Sequence, residues 1–170
     1  MVRMAFVSGT RNILVEDSVF ERGHGCSIGS VGAGCVENVV FRNITMRSQL
    51  CGCRVKSYSG SGPGHVKNVS WVDITMTNTS SCLQVDANYH PAPPHAKYFV
   101  NVSDLLFKNV QGTGCGEPPE FSCPSQAPCT GIVLDDVQLG GKSRDFKMKC
   151  ENAHGKATYN TVPQSCLSSF

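Results

Sequence analysis

Residues 23–34, GHGCSIGSVGAG, place one histidine among five glycines, a composition that suits a phosphate cradle. A dinucleotide fingerprint requires G-x-G-x-x-G between a strand and a helix. Gly23 and Gly25 are followed by glycine only at Gly29, one residue too late, and no G-K-[ST] comes after them. Nothing beyond Gly34 has helical periodicity, so nucleotide binding is excluded and the glycines need another role.

Cysteine is the second chemistry-bearing residue type, with ten copies at 26, 35, 51, 53, 82, 115, 123, 129, 150 and 166. Cys51 and Cys53 form C-x-C, but no C-x-x-C or H-x-x-x-H occurs, so zinc-ribbon spacing is absent. Disulfides formed in an oxidising compartment are the simpler account. N-x-[ST] sequons at Asn43, Asn68, Asn78 and Asn101 agree with it, as candidate glycosylation sites of a secreted, extracellular protein. The first residues, MVRMAFVSGTRN, have no apolar segment long enough for a signal peptide. The expectation is that the protein begins upstream of Met1.

The remaining composition narrows the classes. A chain of 170 residues is about one domain long. A formal charge of +2 without a Lys/Arg run argues against nucleic acid. No apolar run approaches the ~20 residues of a membrane span.

What must position these residues is a repeat. NILVEDSVF from Asn12, NVVFRNITM from Asn38, NVSWVDITM from Asn68, DLLFKNVQG from Asp104 and GIVLDDVQL from Gly131 share one pattern. Apolar residues recur two apart, which is strand periodicity. Five residues after each start stands Asp17, Asn43, Asp73, Asn109 or Asp136, a type that suits a bend bonded to its own backbone. Each unit therefore reads as short strand, Asx bend, short strand and variable loop. Spacings of 26, 30, 36 and 27 residues, without helical patterns between them, predict a solenoid. A β-sandwich is the rival, but N-G and D-G hairpin signals are missing. The expected fold is all-β, a right-handed parallel β-helix with coils starting near 12, 38, 68, 104 and 131. It forms one partial domain over 1–170, truncated on its N-terminal side, with a disulfide-rich tail at 140–170.

A second strand aligns fourteen residues past the first three starts, as CSIGS from Cys26, GCRVKS from Gly52 and CLQVDA from Cys82. That alignment puts Ile28, Arg54 and Gln84 in one ladder, and Ser30, Lys56 and Asp86 in another. Polar ladders on the outer face of a solenoid line an extended binding groove.

Here a resemblance becomes specific. GHGCSIGS at 23–30, CRVKSY at 53–58 and VDANY at 85–89 resemble, in order and spacing, the G-H-G, R-[IV]-K and downstream Tyr motifs of glycoside hydrolase family 28, the polygalacturonases. The resemblance covers nearly the whole chain. It implies inverting hydrolysis of α-1,4-galacturonan in pectin, by a secreted cell-wall enzyme, a monomer with no metal or organic cofactor. His24 would be the catalytic residue, at the groove edge, tuning a nearby carboxyl group. Arg54 and Lys56 would bind the substrate carboxylate, one as a fork and one as a point charge. Tyr89 would pack or hydrogen-bond against a sugar ring, Gly23 and Gly25 would let the chain approach the substrate closely, and Asp86 would be structural. The family pattern also implies disulfides Cys123–Cys129 and Cys150–Cys166. The six other cysteines allow fifteen connectivities.

An inverting glycosidase needs two carboxyl groups roughly 6.5–9.5 Å apart. The family takes them from N-x-D and D-D motifs before G-H-G. Aligned here, the D-D falls near Met1 and Val2, and neither is acidic. Glu16, Asp17 and Glu21 lie in the next repeat. The expectation is the C-terminal part of a polygalacturonase, without activity alone. A non-catalytic module binding acidic polysaccharide, or a relative acting on rhamnogalacturonan or xylogalacturonan, is the alternative. Endo and exo cleavage both fit, and the Pro-rich segment 88–97 could restrict the groove.

Overall fold

The computed structural model describes residues 9–59, 62–90, 96–141 and 143–169. It is built from strands: β1 (Gly9–Glu21), β2 (Cys26–Val31), β3 (Gly34–Arg47), β4 (Cys51–Ser57), β5 (Gly64–Thr77), β6 (Ser81–Asp86), β7 (Val100–Cys115), β8 (Glu120–Ser122), β9 (Cys129–Gly141), β10 (Lys149–Glu151) and β11 (Ala153–Ala157). Odd-numbered strands form a six-stranded sheet in the order β1-β3-β5-β7-β9-β11, and even-numbered ones a five-stranded sheet in the order β10-β8-β6-β4-β2. The pairings within both sheets are parallel. A chain that alternates between two such sheets winds one coil for each pair of strands, which is a parallel β-helix. No described helix is long and apolar enough to cross a membrane.

Like residues stack on like because each coil must fill the same interior width. Ile44 faces Ile74, then Val110 and Val137, while Met46 faces Met76. Phe41, Trp71 and Phe107 form one aromatic ladder, with ring centroids 5.8 and 4.7 Å apart along it. Phe121, from the other sheet, meets Phe107 edge-on at 6.2 Å. The buried indole Nε1–H of Trp71 donates to the Cys26 carbonyl at 3.0 Å, tying the two sheets together across the core.

The long strands are not straight. Asn12, Asn38, Asn68 and Asp104 sit at φ 54–58°, Gly131 at 67°, and Asp17, Asn43, Asp73, Asn109 and Asp136 at 48–56°. Asn and Asp tolerate this left-handed region better than other residues with a Cβ, which explains the repeating Asx. At Asp17, Asn43, Asp73 and Asn109 the side chain bonds instead to the neighbouring coil. Asn43 Nδ2 donates to Asp17 Oδ1 at 2.6 Å and Asn109 Nδ2 to Asp73 Oδ1 at 2.7 Å. Asn38 donates to Asn12 at 2.9 Å and Asn68 to Asn38 at 2.8 Å. Exact stacking puts the donor within reach of its counterpart one coil away, so the bend and the ladder are one device.

Residues 149–157 carry β10 and β11, which add to the two sheets as a further coil. Disulfides join Cys123 to Cys129 and Cys150 to Cys166, and a third joins Cys82 to Cys115. The last closes 33 residues between neighbouring coils, about 3–4 kcal/mol in the chain-entropy account. Cys26, Cys35, Cys51 and Cys53 are free thiols. Burial pushes Cys26 up to about 12, and it drives Cys53 upward as well, so both remain protonated and inert.

Candidate functional site

The polar ladders expected to line a groove lie on the outer side of the even-numbered sheet. On β4 the alternation is strict: Cys53, Val55 and Ser57 are buried, whereas Arg54 and Lys56 between them are half-exposed. Period-two geometry therefore turns the two cations to the same side. The register is Ser27–Arg54–Gln84–Glu120 in one ladder and Lys56–Asp86–Ser122 in the next.

One expected pairing is thus corrected. Ile28 faces Val55, not Arg54, and belongs to the core. A one-residue slip would exchange the two faces of the strand and drive the guanidinium inside, so the connection takes up the extra residue. Beyond Ile28 the register shifts before Val31 meets Ser57, and the bulge falls at Gly29 and Ser30. Gly29 is at φ 121°, and a Cβ there would lie 2.1 Å from the Lys56 carbonyl.

Tyr89 closes over the two cations. Its backbone N–H donates to the Ser57 carbonyl at 3.2 Å, which seats it just past the end of β6. Lys56 Nζ lies 3.3 Å from the Tyr89 ring centroid and the Arg54 guanidinium carbon 5.9 Å from it. His90 meets Tyr89 edge-on at 4.6 Å and Tyr58 at 6.1 Å. Arg54 Nη1 points at Cys51 Sγ, 3.3 Å away, while its Nε is buried with no hydrogen-bond partner. The structure so brings together three of the residues singled out in the sequence: Arg54, Lys56 and Tyr89.

His24 stands apart from that cluster. It is exposed in the turn before β2, and the link runs through backbone: Ser27 Oγ donates to the His24 carbonyl, and Ser27 faces Arg54 on the next coil. Of the two flanking glycines, the second packs tightly on the protein's own backbone. Gly25 is at φ 61°, and a Cβ would meet the Cys51 carbonyl oxygen at 2.1 Å and that of Gly52 at 2.6 Å. Its N–H donates to the buried Gln49 Oε1 at 3.2 Å, and the Gly23 carbonyl accepts from Leu50 N–H at 2.8 Å. The close approach that Gly25 permits in this structure is to the next coil.

Two acids share this face, and only one of them was named from the sequence. Glu120 continues the Arg54 ladder, but β8 is three residues long and carries no periodic signal. Asp86 was legible, but its environment was not. Its carboxyl is held above the usual carboxylate range, first by desolvation and also by Glu120; the Asn88 N–H, Arg54 and Lys56 pull the other way. The acids of β1 are all engaged on the other sheet: Glu16 with Arg42, Asp17 with Asn43, and Glu21 with Arg47 at 3.2 Å. The Met1 and Val2 positions, and residues 91–95 of the Pro-rich segment, lie outside the described residues. The sequon residues Asn43, Asn68, Asn78 and Asn101 are exposed.

Comparison with known proteins places this geometry in context. The family model described as glycosyl hydrolases family 28 matches residues 3–166. A polygalacturonase of Prunus persica is 32% identical over 168 residues, covering 94% of this chain and 42% of the relative. An exopolygalacturonase of Arabidopsis thaliana is 33% identical, covering 93% and 38% respectively. A probable exopolygalacturonase B of Aspergillus niger is 32% identical, covering 86% and 37%. The chain spans about two fifths of the length of the curated relatives it matches.

Proposed function

The chain belongs to glycosyl hydrolases family 28, and from that premise we propose that it forms the galacturonan-holding part of a pectin-degrading polygalacturonase. The observation that carries the reading is the Arg54–Lys56–Tyr89 cluster on the open face of the even-numbered sheet. Galacturonan carries a carboxylate on every sugar. Two cations on one strand face match that charge, and an aromatic ring beside them offers an apolar surface to a sugar. The guanidinium supplies a fork and the ammonium a point charge, so together they orient an acidic sugar rather than merely attract it.

In this reading His24 sits at the groove edge and acts on a carboxyl group brought near it. Hydrolysis with inversion needs an acid and a base on opposite sides of the scissile bond. The sequence holds no acid before Glu16. Glu16, Asp17 and Glu21 are committed to pairs on the other sheet, and Asp86 and Glu120 lie on later coils, in the ladders of the two cations. We therefore expect the 170-residue chain alone to bind galacturonan without cleaving it. Extracellular location and glycan attachment at Asn43, Asn68, Asn78 and Asn101 belong to the same proposal, supported by three disulfides.

The test pairs two measurements on the 170-residue chain. Calorimetry with oligogalacturonate, a rhamnogalacturonan oligomer and a neutral galactan should give salt-sensitive binding to the first. Arg54→Ala should weaken it about tenfold or more, the scale of a charge-assisted bond. Equal binding to the neutral polymer would overturn the substrate assignment. Reducing-end release from polygalacturonate at an ordinary enzymatic rate would overturn the expected inactivity.

A further inference from the structure

Away from the groove face, the odd-numbered sheet gathers three metal-ligating side chains that linear spacing keeps apart. Cys35 and Glu37 are two residues apart on β3, hence on one face of the strand, and Cys35 faces His65 of β5 in the parallel register. Their ligand atoms (sulfur, carboxylate oxygen and imidazole nitrogen) all lie within 4.8 Å of one another, and all three residues are half-buried. Around a tetrahedral zinc ion such donors stand about 3.3–3.6 Å apart, so the set would draw together by up to about 1.5 Å on binding.

The surroundings suit an ion as well. Arg11 on β1 holds Glu37 Oε2 at 2.9 Å and leaves Oε1 turned to His65 Nε2, orienting a ligand through its unused atom. Lys67, which faces Glu37 in the register, reaches towards Asp104 at 3.9 Å. Cys35 and His65 also border a cavity of about 450 Å³ shared with Tyr98, Asn101 and Gln126. A fourth coordination position would open into that space.

We propose that Cys35, Glu37 and His65 bind one Zn2+, with water from the cavity as the fourth ligand. Thiolate, imidazole and carboxylate together suit a borderline-soft ion with tetrahedral geometry, and they disfavour Ca2+ and Mg2+, which take oxygen. On binding, the sulfur–zinc bond replaces the S–H bond and one proton leaves to solvent. The ion clamps β3 to β5, stapling two neighbouring coils where the described residues have no disulfide.

The experiment titrates the chelator-treated chain with ZnCl2 against a chromophoric chelator, and with CoCl2 while recording its absorption. One equivalent of zinc should bind, and the cobalt form should show a near-ultraviolet thiolate-to-cobalt charge-transfer band with tetrahedral visible bands. Cys35→Ser should abolish the charge-transfer band. His65→Ala should weaken zinc binding about a hundredfold and Glu37→Gln about tenfold, with Trp71 fluorescence confirming the fold. Absence of stoichiometric zinc, or a cobalt spectrum of the unaltered chain without a sulfur band, overturns the proposal whatever the variants do. So does a band that survives Cys35→Ser, because the thiol would then be Cys26, Cys51 or Cys53.

Discussion

The ammonium of Lys56 sits 3.3 Å from the centroid of the Tyr89 ring. A half-buried cation and an aromatic ring that is 38% exposed are thereby organised before any ligand arrives. Preorganisation of this kind lowers the entropy lost when a sugar is bound. Tyr89→Ala should weaken oligogalacturonate binding about two- to fivefold, the scale of an exposed cation–π contact, while Tyr89→Phe keeps the affinity. Calorimetry on the two variants checks it; equal loss in both would move the role from the ring to the hydroxyl.

Asp86 should give the chain a pH-dependent stability. Its folded pKa is raised, chiefly by desolvation, so folding favours the protonated form. The stabilisation is fully present below the unfolded carboxylate value and is lost as pH rises through the folded one. Asp86→Asn, neutral throughout and still able to accept from the Asn88 N–H, should match the unaltered chain in acid. It should gain on it as pH rises to about 7. Parallel melting-temperature profiles for the two proteins would refute the assignment.

The Asx bends permit a separation of backbone from hydrogen-bond energies. Asn109 is at φ 48° and donates to Asp73 across the coil. Asn109→Gly loses the bond but relieves the left-handed conformation, whereas Asn109→Ala loses the bond and keeps the conformation. The alanine variant should therefore be less stable than the glycine one by about 1 kcal/mol, measured by urea denaturation. The reverse order would mean that unfolded-state entropy outweighs the bend.

Gly25→Ala should destabilise the chain by well over about 1 kcal/mol, since both its positive φ and the nearby carbonyls exclude a Cβ. Gly23→Ala meets only the flexible Gln49 side chain at 3.2 Å and should be milder. Comparable losses would show that the G-H-G turn is limited by something other than its packing on Cys51.

The amino-acid sequence by itself determined the winding of this protein. In a parallel stack every residue meets its own counterpart one coil away, so Ile44, Ile74 and Val110 or Asn43 and Asp73 repeat in the chain as they do in space. The same logic made Arg54 and Lys56 legible as one face. Tertiary structure alone decided what depends on the connections between sheets, whose lengths carry no period. It set Ser27 opposite Arg54, gave three-residue β8 its Glu120, paired Cys82 with Cys115, and turned Gly25 towards Cys51. Cys35 and His65, thirty residues apart, share one offset of the repeat, and the tertiary structure drew their side chains together with that of Glu37. Local pattern records which way a side chain faces along its strand; which partner it finds is set by the loop that returns the chain to the stack.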